Sequence, residues 1–469
     1  MQKEGIDYFE TYAPVVQWST VRLVLTMILS NNWVTKQVDY TNAFAQATLN
    51  EQVYIDSPRG FSRKDKANKV LHLVKSLYGL KQAPKTFFNK LKRGLEQRGF
   101  TASILDPCLF MKHNMIVVVY VDDTIIAGPD PEEIEKFITD LGVADEEERE
   151  TFILRDEGSV GDFLGIRIGK GANDTFKLSQ TGLIEKVIKA SGMEDCNTAV
   201  TPASTDSLGS DKSGEHHNES WEYPEIVGMI MFLATNSRPD IAYAVNQCAR
   251  FTHSPKASHS KAVKRIVRYL KGTRDQGMQL KPNGQLQVDC YVDADFAGLW
   301  GSEDDQDAVS VKSRSGHVIF FMGCPFSWSS KLQTQIALST MESEYIALSN
   351  AMQELIACRE ILKDIYTHVL HDNSKGKDIY KYNTIAKPFG EIPMSVVHED
   401  NEACLKFVRM PKMSPCTKYI AIPYHFFRSK IDKEIRVVAI NTDNQLADQF
   451  TKELPQDKFL RDRKLLMGW

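Results

Sequence analysis

MIVVVYVDDTIIAG, residues 115–128, sets two adjacent carboxylates, Asp122 and Asp123, between two apolar, β-branched runs, and Gly128-Pro129 ends the second run. That pattern predicts a β-hairpin with the carboxylates at its turn. No glycine follows the aspartates, as it would in an ordinary Asp-Gly turn. Two like charges at the end of such apolar strands are costly unless they are paired, so a cation is expected beside them. Oxygen-only ligands favour Mg²⁺, which accepts few protein carboxylates and keeps positions for phosphate oxygens. Upstream, WVTKQVDYTNAFAQATLNEQVYIDSPRGF (33–61) carries Asp39 after a strand-like run, with Phe44 shortly behind it. One carboxylate plus a separate Asp-Asp hairpin is the donor set that two-metal phosphoryl transfer needs.

A second set of acids lies toward the C-terminus. LQVDCYVDADFAGLW (286–300) alternates, so Tyr291, Asp293 and Asp295 share one strand face. LSTMESEYIALSNAMQELIACREIL (338–362) reads as an amphipathic helix. At ~100° per residue, Glu344 falls on the face of Leu348, Ala351, Leu355 and Leu362, and Glu342 is expected to face solvent. VVHEDNEACLKFV (396–408) puts Asp400 at a strand end, and NQLADQFTKEL (444–454) puts Asp448 in a short helix.

At 469 residues the chain has room for about three domains of ~150 residues. Its 42% hydrophobic and 25% charged residues leave material for real cores. The balance of 57 basic against 61 acidic side chains excludes a uniformly basic coat but allows local patches. One such patch is 250–274, with eight Lys/Arg and no acid; within it SHSKAVKRIVRYLKGT predicts a helix with a basic face. PDPEEIEKF (129–137) opens another helix, with Pro and acids in its first turn. Ser, Thr and Gly mark 201–220 as a linker, and LKPNGQLQ (280–287) as a bridge whose Asn283-Gly284 is a hairpin-type turn. Residues 371–394 read as an insertion, and the linkers divide the chain near 1–200, 220–280 and 285–469. No run approaches the ~18 apolar residues of a membrane span, and MQKEGIDYFETY has no apolar leader core. The eight cysteines form no Cys-x-x-Cys and read as buried thiols in a reducing compartment. A soluble, intracellular protein without a membrane partner is expected.

Tyr120-Val121-Asp122-Asp123 resembles the Tyr-x-Asp-Asp box of reverse transcriptases. The surrounding sequence is similar to the Pol polyprotein of copia-type LTR retrotransposons. The stretches that carry the likeness are GIDYFETYAPVVQWSTVRLVL (5–25), VDYTNAFAQATLNEQVYIDSPRGF (38–61), KSLYGLKQAPKTFFNKL (75–91), YVDDTIIAG (120–128), FLGIRI (163–168), RPDIAYAVNQCARF (238–251) and HSKAVKRIVRYLKGT (259–273). Further on, YVDADFAG, SWSSKLQTQIALSTMESEYIALS and HEDNEAC are similar to the ribonuclease H of the same family. They cover nearly the whole chain in the family's order.

The resemblance implies an α+β fold: a right-hand polymerase palm with partial fingers and a thumb/connection, followed by an α/β ribonuclease H-like domain. Fingers and palm would take 1–170, the thumb/connection 171–280 with its linker at 201–220, and ribonuclease H 285–460. Asp39, Asp122 and Asp123 would be the polymerase metal triad. Phe44 would be the steric gate against a 2′-hydroxyl, Gln82 the residue beside the incoming nucleotide, and Phe163-Leu164-Gly165 the start of the primer-gripping hairpin. The basic helix would track duplex phosphates. Asp293, Glu344, Asp400 and Asp448 would hold the ribonuclease H metals, acting on the RNA strand of a hybrid. The implied cofactor is Mg²⁺, with Mn²⁺ as a substitute. The implied partners are RNA and DNA template-primer, RNA–DNA hybrid, dNTPs and other Pol or Gag products. The implied location is a cytoplasmic virus-like particle, or else the nucleus.

Some features depart from the family. In YIAIPYHFF (419–427), Ala421 and Pro423 replace a charged pair, and no histidine lies just before Asp448. Gag, protease and integrase patterns are absent from these residues. Relatives carry a basic fingers strand ahead of the GIDY segment, where here only Lys3 precedes Gly5, so poor polymerisation in this truncated form is expected. The implied activity is RNA-directed DNA synthesis with hybrid RNA removal. Two alternatives stand beside it: an inactive or domesticated fragment that binds nucleic acid without turnover, and a chain in which only the ribonuclease H works.

Overall fold

The computed structural model describes residues 2–56, 70–143, 149–171, 175–204, 208–300, 309–370, 392–410 and 422–469. Most of the 371–394 insertion, Ala421 and Cys416 therefore lie outside the described residues. The chain is a mixed α/β structure that divides into two compact units. Its first helix, α1 (Trp18–Asn31), has residues in both.

One unit takes the chain up to Val21, then Asn31–Gly161, and resumes at Glu360. Its strands are β1 (Val34–Tyr40), β2 (Thr48–Ile55), β3 (Leu71–Lys75), β4 (Thr101–Ala102), β5 (Leu109–Lys112), β6 (Met115–Tyr120), β7 (Asp123–Gly128) and β8 (Leu154–Gly158). A six-stranded antiparallel sheet runs β4-β5-β6-β7-β1-β8, with β2 and β3 a separate ribbon. Strand β6 is central, and Met115 to Val119 are all buried, which is why the sequence shows an unbroken apolar run instead of alternation. Helices α2 (Ala43–Gln46), α3 (Ala83–Glu96) and α4 (Pro131–Gly142) belong to this unit. Asp130 caps α4 by accepting the amides of Glu132 and Glu133, and Pro131 stands in the first turn, as expected from PDPEEIEKF. Alternation along β1 sends Val38 and Tyr40 into the core, where the Tyr40 ring meets Phe87 at 5.4 Å and Phe152 at 5.5 Å. Asp39 consequently points to the other face.

The second unit comprises Arg22–Ser30, Asp162–Arg359 and the C-terminal part of the chain. Strands β9 (Asp162–Phe163), β10 (Ile166–Gly171), β11 (Thr175–Ser179) and β12 (Met278–Leu280) form a sheet in the order β12-β11-β10-β9. Beside them in sequence, α5 (Thr181–Ala190), α6 (Tyr223–Asn236), α7 (Ala242–Ala249) and α8 (Ala257–Gly272) share an apolar core built from residues such as Val187, Ile230, Val245, Ile266 and Leu270. A five-stranded sheet follows: β13 (Val288–Asp295), β14 (Arg314–Phe321), β15 (Cys324–Leu332), β16 (Ser395–Glu399) and β17 (Ile435–Ala439), ordered β15-β14-β13-β16-β17. The β13–β16 and β16–β17 pairs are parallel. Parallel neighbours need long crossovers, which α9 (Thr340–Ile365) and α10 (Glu402–Arg409) help supply. Short α11 (Asp448–Thr451) and α12 (Gln456–Met467) end the chain.

Four expectations need correction. Residues 201–204 and 208–220 are not a free linker: the His259 ring meets the Gly209 carbonyl, Ser258 donates to Asp211, and the Ala257 amide donates to Glu215. Asn283-Gly284 makes no hairpin, since β12 and β13 belong to different sheets. The basic face of α8 is occupied, for Arg265 donates to Ala203 and Thr201, Arg268 to Asn197, and Lys271 to Glu194 and Cys196. Glu342 is buried, because its carboxylate folds back to accept the Leu338 amide at 2.7 Å while Ser339 accepts the Glu342 amide. This is a variant of the capping box, in which the Glu342 carboxylate reaches the residue before the N-cap Ser339, and helical phase alone does not reveal it.

Of the thiols among the described residues, Cys196 is half-buried and the other six are buried, all unpaired. No helix among the described residues is long and apolar enough to cross a membrane.

Candidate metal centres

In the first unit, β6 and β7 are joined by a two-residue turn, Val121-Asp122, with Tyr120 opposite Asp123. Val121 has φ +53°, a left-handed conformation that β-branched residues avoid. Such strain persists only where the surroundings impose it, and it concentrates at functional turns. On the far side of β7, Asp39 of β1 stands in register with Asp123. Directly opposite side chains on one sheet face lie about 5 Å apart between Cβ atoms, so two carboxylates there repel without a cation. The Tyr40 amide also donates to the Asp122 carbonyl, tying the turn to the strand that carries Asp39. All three carboxylates are half-buried. Burial, then the charges of Asp122, Asp39 and Glu157, push the Asp123 carboxyl up to about 6. Asp39 and Asp123 are therefore set side by side with Asp122 in the adjoining turn, a crowding of charge that a divalent cation would relieve.

Phe44, on α2, is half-buried; its ring lies 4.6 Å from Tyr78 and 6.4 Å from Phe87. Gln82 does not offer its side chain to this site. It is 1% exposed, its Oε1 accepts from Gln2, and its Nε2 donates to the Asp7 carbonyl. Tyr78, which sequence reasoning passed over, is the exposed polar aromatic near the acids.

In the second unit, β13 presents Asp293, α9 presents Glu344, and Asp400 follows the end of β16. One oxygen from each lies within 4.8 Å of the others, which makes this a candidate metal cluster among the described residues. Asp293 and Glu344 are buried, and Glu344 Oε2 has no hydrogen-bond partner. Burial, followed by the charges of Glu399, Asp293 and Asp400, raises the Glu344 carboxyl far above its ordinary range. Burial is likewise the first cause of the upward shift at Asp293, where Lys452 acts in the opposite direction. An orphaned buried oxygen among crowded carboxylates suits a hard divalent cation.

Asp448 lies outside that cluster. Lys452 pairs with it at 2.7 Å, Lys458 pairs with its other oxygen, and Thr451 of the same helix donates to Asp293. Lys452 also stands 3.7 Å from Asp293, so the Asp448 helix borders the cluster and brings cations to it. Glu399, also unforeseen, is wholly buried with Oε1 accepting the Asn401 amide and Oε2 unpartnered. Its inward position follows from the period-two burial of β16, with Ser395, Val397 and Glu399 inward, which the sequence SVVHE does not display as an apolar alternation.

Residues 1–205 match the family model described as reverse transcriptase (RNA-dependent DNA polymerase). The chain is 34% identical over 463 residues to the Retrovirus-related Pol polyprotein from transposon RE1 of Arabidopsis thaliana, covering 98% of this chain and 29% of that protein. It is 31% identical over 471 residues to the Retrovirus-related Pol polyprotein from transposon TNT 1-94 of Nicotiana tabacum, covering 98% of this chain and 32% of that relative. The chain thus spans about a third of the length of these relatives. A half-buried acid pair on a strained hairpin in register with a third acid, together with this likeness from end to end, is accounted for in one way: the chain belongs to the reverse transcriptase family, as a segment akin to the Pol polyproteins of copia-type retrotransposons.

Proposed function

We propose that the chain is an RNA-directed DNA polymerase with ribonuclease H activity. The observation that carries the polymerase part is the register of Asp39 with Asp123 beside the strained Val121-Asp122 turn. In this reading the 1–170 segment is palm with partial fingers, 171–280 a thumb/connection, and 285–460 a ribonuclease H-like domain. Asp39, Asp122 and Asp123 would hold divalent cations, Mg²⁺ first, with the Asp293, Glu344 and Asp400 cluster doing the same in the second unit. Bound there, such ions would neutralise charge on the attacking and departing oxygens of a phosphoryl transfer. The protein's own part is positioning. The antiparallel register fixes Asp39 against Asp123, and buried β13 and α9 hold Asp293 and Glu344 without freedom to turn away. Asp448, countered by Lys452 and Lys458, would steady the second cluster from its edge and supply it with cations. Partners would be RNA or DNA template-primer, RNA–DNA hybrid, dNTPs and other Pol or Gag products, and the setting a cytoplasmic particle.

The test separates the two sites. Asp122→Asn should lower Mg²⁺-dependent primer extension by roughly a thousand-fold, several kcal/mol of transition-state stabilisation, and spare cleavage of a labelled hybrid. Glu344→Gln should do the reverse. Joint loss of both activities in either variant, or extension unchanged in Asp122→Asn, would overturn the assignment. A chain that binds template-primer but does neither reaction would be the non-catalytic fragment.

A further inference from the structure

Between Asp448 and Lys452 stands a side chain that the acids alone do not account for. Thr451 closes α11 and is fully buried, as is Phe450 beside it. A hydroxyl in such a place costs free energy unless it finds an acceptor. It finds one outside its own helix, donating to Asp293 Oδ2. The Asp448 carbonyl, 3.2 Å away, is the local acceptor open to a helical threonine, but a hydroxyl has one proton to give.

A glycine sets how closely α11 approaches the sheet. Gly316 of β14 is paired with Asp293 of β13. A Cβ at Gly316 would lie 2.7 Å from both Phe450 Cβ and Thr451 Cγ2, closer than carbon atoms pack, so only bare backbone admits the helix at this depth. The Thr451 methyl therefore faces Gly316. A β-branched side chain has few χ1 wells, and a methyl held against the sheet leaves the hydroxyl directed at Asp293. Lys452 adds an ammonium 3.7 Å from the same oxygen, while its closer contact is with Asp448 Oδ1 at 2.7 Å. Hydroxyl and ammonium thus both sit on Oδ2 of Asp293. Among the described residues, no donor reaches its Oδ1.

A carboxylate turns readily about its last bond unless something holds it, and a ligand that must be reoriented binds a cation more weakly. Resting on the reading of Asp293, Glu344 and Asp400 as a metal centre, we propose that Thr451 is a positioning residue. Its hydroxyl, set by the close seat of α11 on Gly316, holds the Asp293 carboxylate so that Oδ1 stays aimed at a divalent cation shared with Glu344 and Asp400. Thr451 touches neither ion nor hybrid and acts through Asp293.

Mn²⁺ binding to the full chain, followed by electron paramagnetic resonance, tests this, with the component lost in Glu344→Gln defining the second-unit centre. Thr451→Val keeps the shape and removes the hydroxyl, and it should weaken that component roughly ten-fold, the usual effect of losing a group that orients a metal ligand. Thr451→Ser keeps the hydroxyl and should retain most of the affinity. Gly316→Ala, which pushes α11 outward with the hydroxyl intact, should weaken binding as well. In Thr451→Val the Mg²⁺ concentration for half-maximal hybrid cleavage should rise by a similar factor, and the rate at saturating Mg²⁺ should recover. Cleavage lowered at every Mg²⁺ concentration would mark lost packing and overturn the positioning role. So would unchanged Mn²⁺ affinity in Thr451→Val or Gly316→Ala, or equal losses in Thr451→Val and Thr451→Ser. If Glu344→Gln removes no Mn²⁺ component, the metal-centre reading falls and this proposal with it.

Discussion

Asp123 carries an electrostatic consequence that stability against pH can read. Its carboxyl titrates near 6 because burial and three neighbouring acids disfavour the anion. In the unfolded chain an aspartate titrates near ~3.9. A raised carboxyl favours the fold at low pH, and that contribution is lost as pH climbs from about 4 through about 6. Without divalent cations, the melting temperature should therefore fall over that range, and Asp123→Asn should flatten part of the slope. Added Mg²⁺ should flatten it too, since a cation binds the ionised form. Equal slopes in wild type and variant, followed by thermal melts across pH, would mean that Asp123 is not the group responsible. Asp122 and Asp123 were legible in the sequence because charge inside an unbroken apolar run has few explanations. Tyr78 and Gln82 were not, because they lie in one turn and only its path decides which side chain faces the acids.

Among the elements, α9 shows how one helix assigns two neighbouring glutamates to different duties. Phase placed Glu344 on the apolar face correctly, and the same rule sent Glu342 outward, where the fold instead uses it as a cap on the Leu338 amide. Negative charge in the first turn also complements the helix dipole. Glu342→Ala should cost about 1 kcal/mol of stability, read as a lower urea midpoint, and leave the pH dependence and metal requirement of hybrid cleavage unchanged. Complete loss of cleavage with unaltered stability would instead make Glu342 part of the chemistry. Periodicity found α4, α8 and α9 because each buries one continuous face. It missed the ordering of 208–220, whose contacts run largely from polar groups to backbone and so leave no apolar rhythm.

For the molecule as a whole, each compact unit carries its own acid cluster, so its two candidate sites depend on separate frameworks. Motif order across the chain was readable from end to end, whereas the engagement of cations inside the fold was not. Of the eight Lys/Arg between 250 and 274, six (Arg250, Lys264, Arg265, Arg268, Lys271 and Arg274) already have partners within the chain. Affinity for a polyanion is paid largely in released counterions, and its logarithm falls with that of salt in proportion to the phosphates contacted. Cations pinned to carbonyls of 194–203 must let go of that segment before they can form such contacts. Any duplex recruiting Arg265, Arg268 and Lys271 would therefore exchange one partner for another, stripping the strap from α8 as it binds. Amide hydrogen exchange within 194–203 should rise on adding duplex, and the salt slope should stay below ~7, the value for eight free contacts. A full slope with the strap still protected would place the binding charges elsewhere. Were α8 to bind nucleic acid, its attraction would be set by the free energy of peeling back its own chain.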